Sequence, residues 1–221
     1  MTAAGWGCMA PMDGTKVLLV GVVGGIASGK SFVAEHLKRK GAAVVSADQW
    51  AHEVLKFDDV KKAVRQRWGD AVFSPDGQVD RAALARIVFS AAPDGPQELK
   101  HLEQLTHPQI GPLVRQQIAE LVEQGTAAAI VLDVPLMFES GWNRICDKIV
   151  FVDAPRPLRL ARAMARGWTQ EDFARREAAQ ESLETKQKLA DVVIDNSGSP
   201  ESTTAQIEHF WHSLVGSSRP N

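Results

Sequence analysis

Four apolar runs and one shorter one divide the chain, separated by stretches whose hydrophobic residues recur at helical spacing. The first opens at Val17 (VLLVGVVGG); the others are Ala43–Ser46 (AVVS), Ala127–Val134 (AAAIVLDV), Lys148–Val152 (KIVFV) and Val192–Ile194 (VVI). Each is nearly continuous, rich in Val and Ile and bounded by polar residues, as strands covered on both faces are. Phe32, Glu35 and Leu37, and later the stretch Leu158–Arg166, carry helical spacing instead. Strands alternating with helices predict an α/β fold, a doubly wound parallel sheet of five strands.

One long segment breaks this rhythm. From Gln49 to Gln124 there is no comparable strand, and the residues read as consecutive helices with their own start and turn signals. Asp80 before RAALARIVF is an N-cap candidate, and Pro75-Asp76-Gly77 is a turn. The simplest organisation is one domain over residues 17–214, with a helical insertion at about 49–124 between the second and third strands. Residues 1–16 read as a loose N-terminal tail and 215–221 as a C-terminal one.

Composition narrows the classes. A chain of 221 residues fits one domain with an insertion, and its 44% apolar and 24% charged content is ordinary for a globular protein. A net charge of -2 argues against nucleic-acid binding through overall positive charge. Cys8 and Cys146 form no spacing motif, which suggests a reduced compartment and gives no metal site. No basic segment followed by an apolar one opens the chain, and no apolar run approaches the roughly 20 residues of a membrane helix. These features lead to the expectation of a cytoplasmic protein with no membrane partner.

The candidate chemistry sits where the first strand meets the first helix. Gly24-Gly25-Ile26-Ala27-Ser28-Gly29-Lys30-Ser31 satisfies G-x-x-x-x-G-K-[ST] between a predicted strand and a predicted helix. Glycines allow successive N–H groups to turn inward as an anion nest, and the helix start adds its positive dipole end. Lys30 would bridge the β- and γ-phosphates, and the Ser31 hydroxyl would ligate Mg²⁺. A glycine-rich strand-to-helix turn of another α/β protein is the competing account. A phosphate loop alone does not separate a kinase from a switch or a motor. No Asn-Lys-x-Asp stretch is present to select guanine, however, and Asp48 follows the second strand, where carboxyl ends of strands face bound phosphates in doubly wound sheets.

Over nearly all of Val17–Leu214 the sequence resembles the dephospho-CoA kinase family. The matching pieces, in order, are GVVGGIASGKS, SADQWAHEV, DGQVDRAALARIVF, LTHPQI, LDVPLMFESG, VFVDAP, Arg162 with Arg166, AAQ at 178–180 and ADVVIDNSGS. The resemblance implies a P-loop NTPase fold in which the insertion binds dephospho-CoA and residues 156–190 form a helical lid. It also implies transfer of the ATP γ-phosphoryl group to the ribose 3′-hydroxyl, with ATP and Mg²⁺ as cofactors. Gly24–Phe32, Asn196 and Gly198 would bind the nucleotide, and Asp48, His52, Arg81, His107 and Glu139 the acceptor. Lys30, Asp48, Arg162 and Arg166 would carry the catalysis, and Ser31 and Asp133 the metal. The six tryptophans are scattered and read as packing residues; Trp50 and Trp142 could border a CoA pocket, but their spacing gives no support.

Several residues have a plainer reading beside that one. Asp48 either takes the hydroxyl proton, holds a Mg²⁺-bound water, or caps a helix starting at Gln49. Asp133 ends its strand as a Mg²⁺-holding carboxylate does, or satisfies loop amides. Arg162 and Arg166, four apart, would share a helix face with Arg159 on the same stripe, as phosphate-closing arginines or as a solvated face. His107 is an acceptor-site residue or a packed one, Arg81 and Glu139 are site residues or ion-pair partners, and Asn196-Ser197-Gly198 is an adenine-side loop or an ordinary turn. The chain departs from the family pattern at Ala27, where Gly is common, at Ser46 in place of the first Asp of Asp-Ala-Asp, at Arg159, often Gln, and in lacking a Pro-Gly after the second helix. Ala27 should be tolerated if its φ is negative. A nucleoside or nucleotide kinase, or a nucleotide-dependent switch module, are the alternative functions.

Overall fold

The computed structural model describes residues 17–90, 92, 94–134, 137–178 and 180–216. The expected tail 1–16 with Cys8, and residues 217–221 of the C-terminal one, lie outside them. In chain order the elements are β1 (Leu18–Gly24), α1 (Lys30–Arg39), β2 (Ala42–Ser46), α2 (Ala47–Val54), α3 (Asp58–Trp68), α4 (Arg81–Val88) and α5 (Gly95–Gln124). They continue with β3 (Ala129–Asp133), β4 (Lys148–Asp153), α6 (Arg156–Met164), α7 (Gln170–Ala178), α8 (Leu183–Lys188), β5 (Val192–Asp195) and α9 (Pro200–Gly216). Short 3₁₀ turns lie at Asp70–Val72 and Trp142–Ile145.

The five strands form one sheet in the order β2-β3-β1-β4-β5, every pairing parallel. Their near-continuous apolar sequences follow from that arrangement, since each strand is covered above and below. The chain leaves β1 toward β2 and β3 on one side, then crosses to β4 and β5 on the other. The carboxyl end of β1 is therefore the switch point, where open parallel sheets bind ligands. In register Ser46 stands beside Asp133, so β2 and β3 end level.

On one face α1 and α9 pack Val33, Ala34, Leu37, Ile207, Phe210, Trp211 and Leu214 onto Val20, Val22, Val131, Val150 and Val152. On the other, the missing side chain of Gly21 makes room for neighbours. A Cβ there would lie 3.0 Å from Cys146 Sγ and 3.1 Å from Met137 Cε.

The chain divides into two compact units, one built from the residues up to Ser46 and from Gln117 onward, the other from Ala47–Gln116. In the second unit Val54, Val60, Val64, Val72, Ala83, Leu84 and Val88 are buried. Asp80 caps α4 as expected, accepting from the amides of Ala82 and Ala83 at 2.9 and 3.1 Å. The Pro75–Gly77 turn is present, with Gly77 at φ +77° and its N–H bonded to the Ser74 carbonyl. Glu98 receives the Arg67 guanidinium and, at 2.7 Å, the Trp68 indole N–H, fixing α3 to α5. Helix α5 continues through Pro108 and Pro112.

Three local expectations are corrected. Helix α2 starts at Ala47, so Asp48 lies in its first turn and is not its N-cap. Helix α6 ends at Met164, which puts Arg166 in the turn before Gly167 (φ +85°), not on a helical face shared with Arg162. Ala27 has φ +58°, so the condition of a negative φ, under which an alanine would be tolerated there, is not met.

Candidate active site

Between Gly24 and Lys30 the backbone turns from strand to helix in seven residues, and the glycines stand where a side chain would collide. Gly24 has φ +153°, and a Cβ there would lie 2.5 Å from the Val152 carbonyl oxygen. Gly29 has φ +106° and precedes α1; its Cβ would lie 2.0 Å from the Asn196 amide nitrogen. The loop is closed by a hydrogen bond from the Ser28 amide to the Gly25 carbonyl at 3.1 Å. Ala27 takes the left-handed conformation that glycine would take without strain. The first amides of α1 have no acceptor within the helix, and a helix N-terminus after such a loop is suited to an anion. Lys30 reaches back over the loop, its Nζ donating to the carbonyl oxygens of Gly24 and Gly25 at 3.2 Å each.

The loop carbonyls, meanwhile, are held from behind. Arg162 donates to the Ser28 carbonyl at 3.2 Å and to the Asn196 carbonyl at 2.9 Å, and the Asn196 side-chain amide donates to the same Ser28 oxygen at 2.7 Å. Asn196 is buried and accepts from the Thr203 hydroxyl at 3.0 Å. Its side chain is thus part of the wall behind the loop. Gly198 is exposed. Arg159 is not on a solvated stripe: it is 3% exposed and donates to the Ala154 carbonyl and to Glu177 at 3.0 and 2.7 Å. The Ser28 hydroxyl is fully buried and has no hydrogen-bond partner among the described residues.

Phe32, one residue past Ser31, stacks on His36 with ring centroids 4.1 Å apart. Asp133 ends β3 beside Ser46. Glu139 is exposed and accepts from the Glu181 amide at 2.8 Å. Arg166 is exposed, and Trp142 is half-buried. No three His, Cys, Asp or Glu side chains cluster as a metal cage among the described residues.

In the helical unit Asp48 and His52 sit one turn apart on α2, and Arg81 opens α4. The three are electrostatic neighbours. Partial burial and the Arg81 charge lower the His52 pKa below 6.5, against the opposing pull of Asp48 and Glu53. Three of the acceptor-site candidates are thereby brought together. His107 is exposed on α5, directly before Pro108.

Sequence reasoning did not single out Glu177, Thr203 or Lys186. Lys186 is 2% exposed and donates to the Gln180 side chain at 3.3 Å. Burial pushes its ammonium pKa down while Glu139 and Glu181 oppose the shift. A buried Lys or Glu in a charged amphipathic helix carries no signal that separates it from a solvated one; only Gln180, within the matched AAQ, pointed to this neighbourhood.

The model of the dephospho-CoA kinase family matches residues 18–202, from β1 to the first turn of α9. A curated dephospho-CoA kinase of Carboxydothermus hydrogenoformans is 42% identical over 191 residues, covering 86% of this chain and 90% of its own. One from Symbiobacterium thermophilum is 40% identical over 200 residues, covering 90% and 82%. Among solved structures, a Thermus thermophilus protein superposes with a TM-score of 0.71 at 33% identity, covering 92% of this chain and 99% of its own. The dephospho-CoA kinase of Campylobacter jejuni gives 0.63 at 25% identity, covering 89% and 96%. A phosphate-binding loop at the switch point of a parallel sheet, within a match that runs from the first strand to the last helix, leaves one conclusion: this chain belongs to the dephospho-CoA kinase family.

Proposed function

We propose that the chain transfers the γ-phosphoryl group of ATP to the ribose 3′-hydroxyl of dephospho-CoA, giving coenzyme A and ADP, the last step of coenzyme A synthesis. The observation that carries this reading is the family match over residues 18–202, which includes both the phosphate loop and the helical unit. Phosphoryl transfer passes through a loose, charge-rich transition state, so the protein's work is positioning and charge neutralisation. The Gly24–Ser31 loop holds the β- and γ-phosphates through backbone amides, and Lys30 would exchange its two loop carbonyls for phosphate oxygens. Asp48, two residues beyond the end of β2, orients the acceptor hydroxyl and takes its proton, with His52 and Arg81 on the acceptor side. Arg162 lends positive charge to the loop whose Ser28 carbonyl it holds, and Arg166 adds charge over the phosphates, with α6, α7 and α8 as the lid. His107 and Glu139 are the remaining acceptor-side candidates, and Asn196 and Gly198 lie on the adenine side.

The donors present suit Mg²⁺. The Ser31 hydroxyl and the Asp133 carboxylate are hard oxygen donors of the kind Mg²⁺ takes, and they would hold the ion with waters and phosphate oxygens completing its shell. Bound there, Mg²⁺ neutralises charge on the phosphates. We further propose that the protein works in the cytoplasm and that Ala47–Gln116 is the acceptor-binding module. No helix among the described residues is long and apolar enough to cross a membrane.

A coupled ADP-release assay with dephospho-CoA, AMP, CMP and pantothenate as separate acceptors tests the assignment. Turnover is expected with dephospho-CoA alone; turnover of a nucleotide without dephospho-CoA activity would reject it.

A further inference from the structure

We infer that Arg159, held in place by Glu177 of α7, is a positioning residue that sets the phosphate loop from behind. The inference rests on the reading of Gly24–Ser31 as a phosphate cradle. The Arg159 guanidinium fans out to three oxygens: the Ala154 carbonyl just past β4 at 3.0 Å, the Ile26 carbonyl in the loop at 3.4 Å, and Glu177 Oε1 at 2.7 Å. Gly25 lets it come this close, since a Cβ there would lie 2.8 Å from Arg159 Nη1.

The consequence for the loop follows from peptide geometry. In a planar trans peptide the carbonyl and the next amide point in opposite directions. Drawing the Ile26 oxygen back toward Arg159 therefore turns the Ala27 N–H toward the concave side, where phosphate oxygens would lie. Ala27 has a left-handed φ of +58°. Arg162 and Asn196 treat the next carbonyl but one, that of Ser28, in the same way. These two arginines thus grip the loop through its outward oxygens, and the cradle is preorganised before a nucleotide arrives.

A buried guanidinium needs an anion, and Glu177 supplies it. The carboxylate is shared: Oε2 accepts from Arg156 Nε at 2.8 Å on the more exposed side. Burial alone would raise the Glu177 pKa, but the hydrogen bonds from Arg159 and Arg156 outweigh it and hold the carboxyl below its usual range. Phe173, fully buried on α7, lies under both guanidinium groups at 5.4 and 5.6 Å. Through this chain of contacts the seating of α7 on α6 is linked to the shape of the phosphate loop. Displacing α7 would strip Arg159 of its counter-charge and loosen the Ile26–Ala27 peptide.

The test is calorimetric titration of the full chain with ATP and Mg²⁺, per folded protein, for Arg159→Gln, Glu177→Ala and the double variant, alongside steady-state kinetics. Loss of one charge-assisted hydrogen bond network predicts a rise in the ATP Kd of roughly five- to twentyfold for Arg159→Gln, with the KM for dephospho-CoA unchanged. Glu177→Ala is expected to weaken ATP binding in the native background and to add nothing in the Arg159→Gln background. Arg156→Ala, which breaks only the outer half of the pair, should bind ATP as the native chain does. An ATP Kd within about twofold of native for folded Arg159→Gln, or additive losses in the double variant, would overturn the inference. A role in general folding would lower Tm without moving Kd. If Arg159→Gln does not fold, Arg159→Lys, which keeps the charge but cannot reach three oxygens in a plane, is read by the same Kd criterion. ATP binding is measured without an acceptor, so a wrong substrate assignment would leave this result standing.

Discussion

Ala27 carries a side chain where the backbone has φ +58°, a conformation that costs an L-residue roughly 1–2 kcal/mol. Ala27→Gly removes that strain and recovers part of the energy, because glycine loses more freedom on folding. A gain of about 0.5–1 kcal/mol in denaturant unfolding is expected from those two terms. Lys30 and Asp48 belong to the proposed chemistry instead. Lys30→Ala should lower kcat by roughly 10²–10³, the loss typical of one preorganised donor to developing charge. Asp48→Asn should lower it by roughly 10²–10⁴, the usual contribution of a general base. Both variants should keep the native circular dichroism, and near-native turnover of Asp48→Asn would remove the base from the mechanism. At this scale the sequence was legible where a motif dictates backbone shape, at Gly24, Gly29, Lys30 and Ser31. It left Arg159 between a phosphate-closing and a solvated stripe and was silent for Glu177, because a helical arginine pointing into the protein and one pointing into water have the same spacing.

At the scale of elements, apolar runs located all five strands to within a residue or two, since burial on both faces leaves an uninterrupted signature. Helix ends were harder. Helix α6 stops at Met164 although Arg166 continues the charged pattern, and α2 starts immediately after β2, one residue before Asp48. That start sets Asp48 and His52 on successive turns with Arg81 nearby, and it makes the helical unit sensitive to acid. The His52 pKa is depressed in the folded state below 6.5, so the unfolded chain binds the proton more readily. Its contribution to stability is complete above pH 6.5 and is lost as pH falls through the folded value. His52→Gln should flatten the fall in Tm across that acid range; an unchanged profile would show that other groups dominate it.

For the whole molecule, the lack of strands between Gln49 and Gln124 is the signal behind the expected insertion, and the second compact unit is Ala47–Gln116. The strand order β2-β3-β1-β4-β5 was not legible, because pairing partners far apart in sequence leave no periodic trace. That order has a thermodynamic reading. A ligand bound at the switch point favours the folded sheet, by about 2.7 kcal/mol at one hundred times Kd. ATP with Mg²⁺ should therefore raise Tm, chelation of the metal should reverse part of the rise, and Gly29→Ala, whose Cβ would lie 2.0 Å from the Asn196 amide nitrogen, should abolish it. A full shift in Gly29→Ala would place the nucleotide elsewhere.

The thiol that fills the space above Gly21 gives the sheet a built-in reporter. Burial, reinforced by the negative charges of Asp147 and Asp191, pushes the Cys146 thiol up to about 12, so at neutral pH the native protein presents almost no nucleophile there. Alkylation of Cys146, followed by mass spectrometry, should therefore be slow in the native protein and speed up in denaturant, where the thiol returns to its ordinary range.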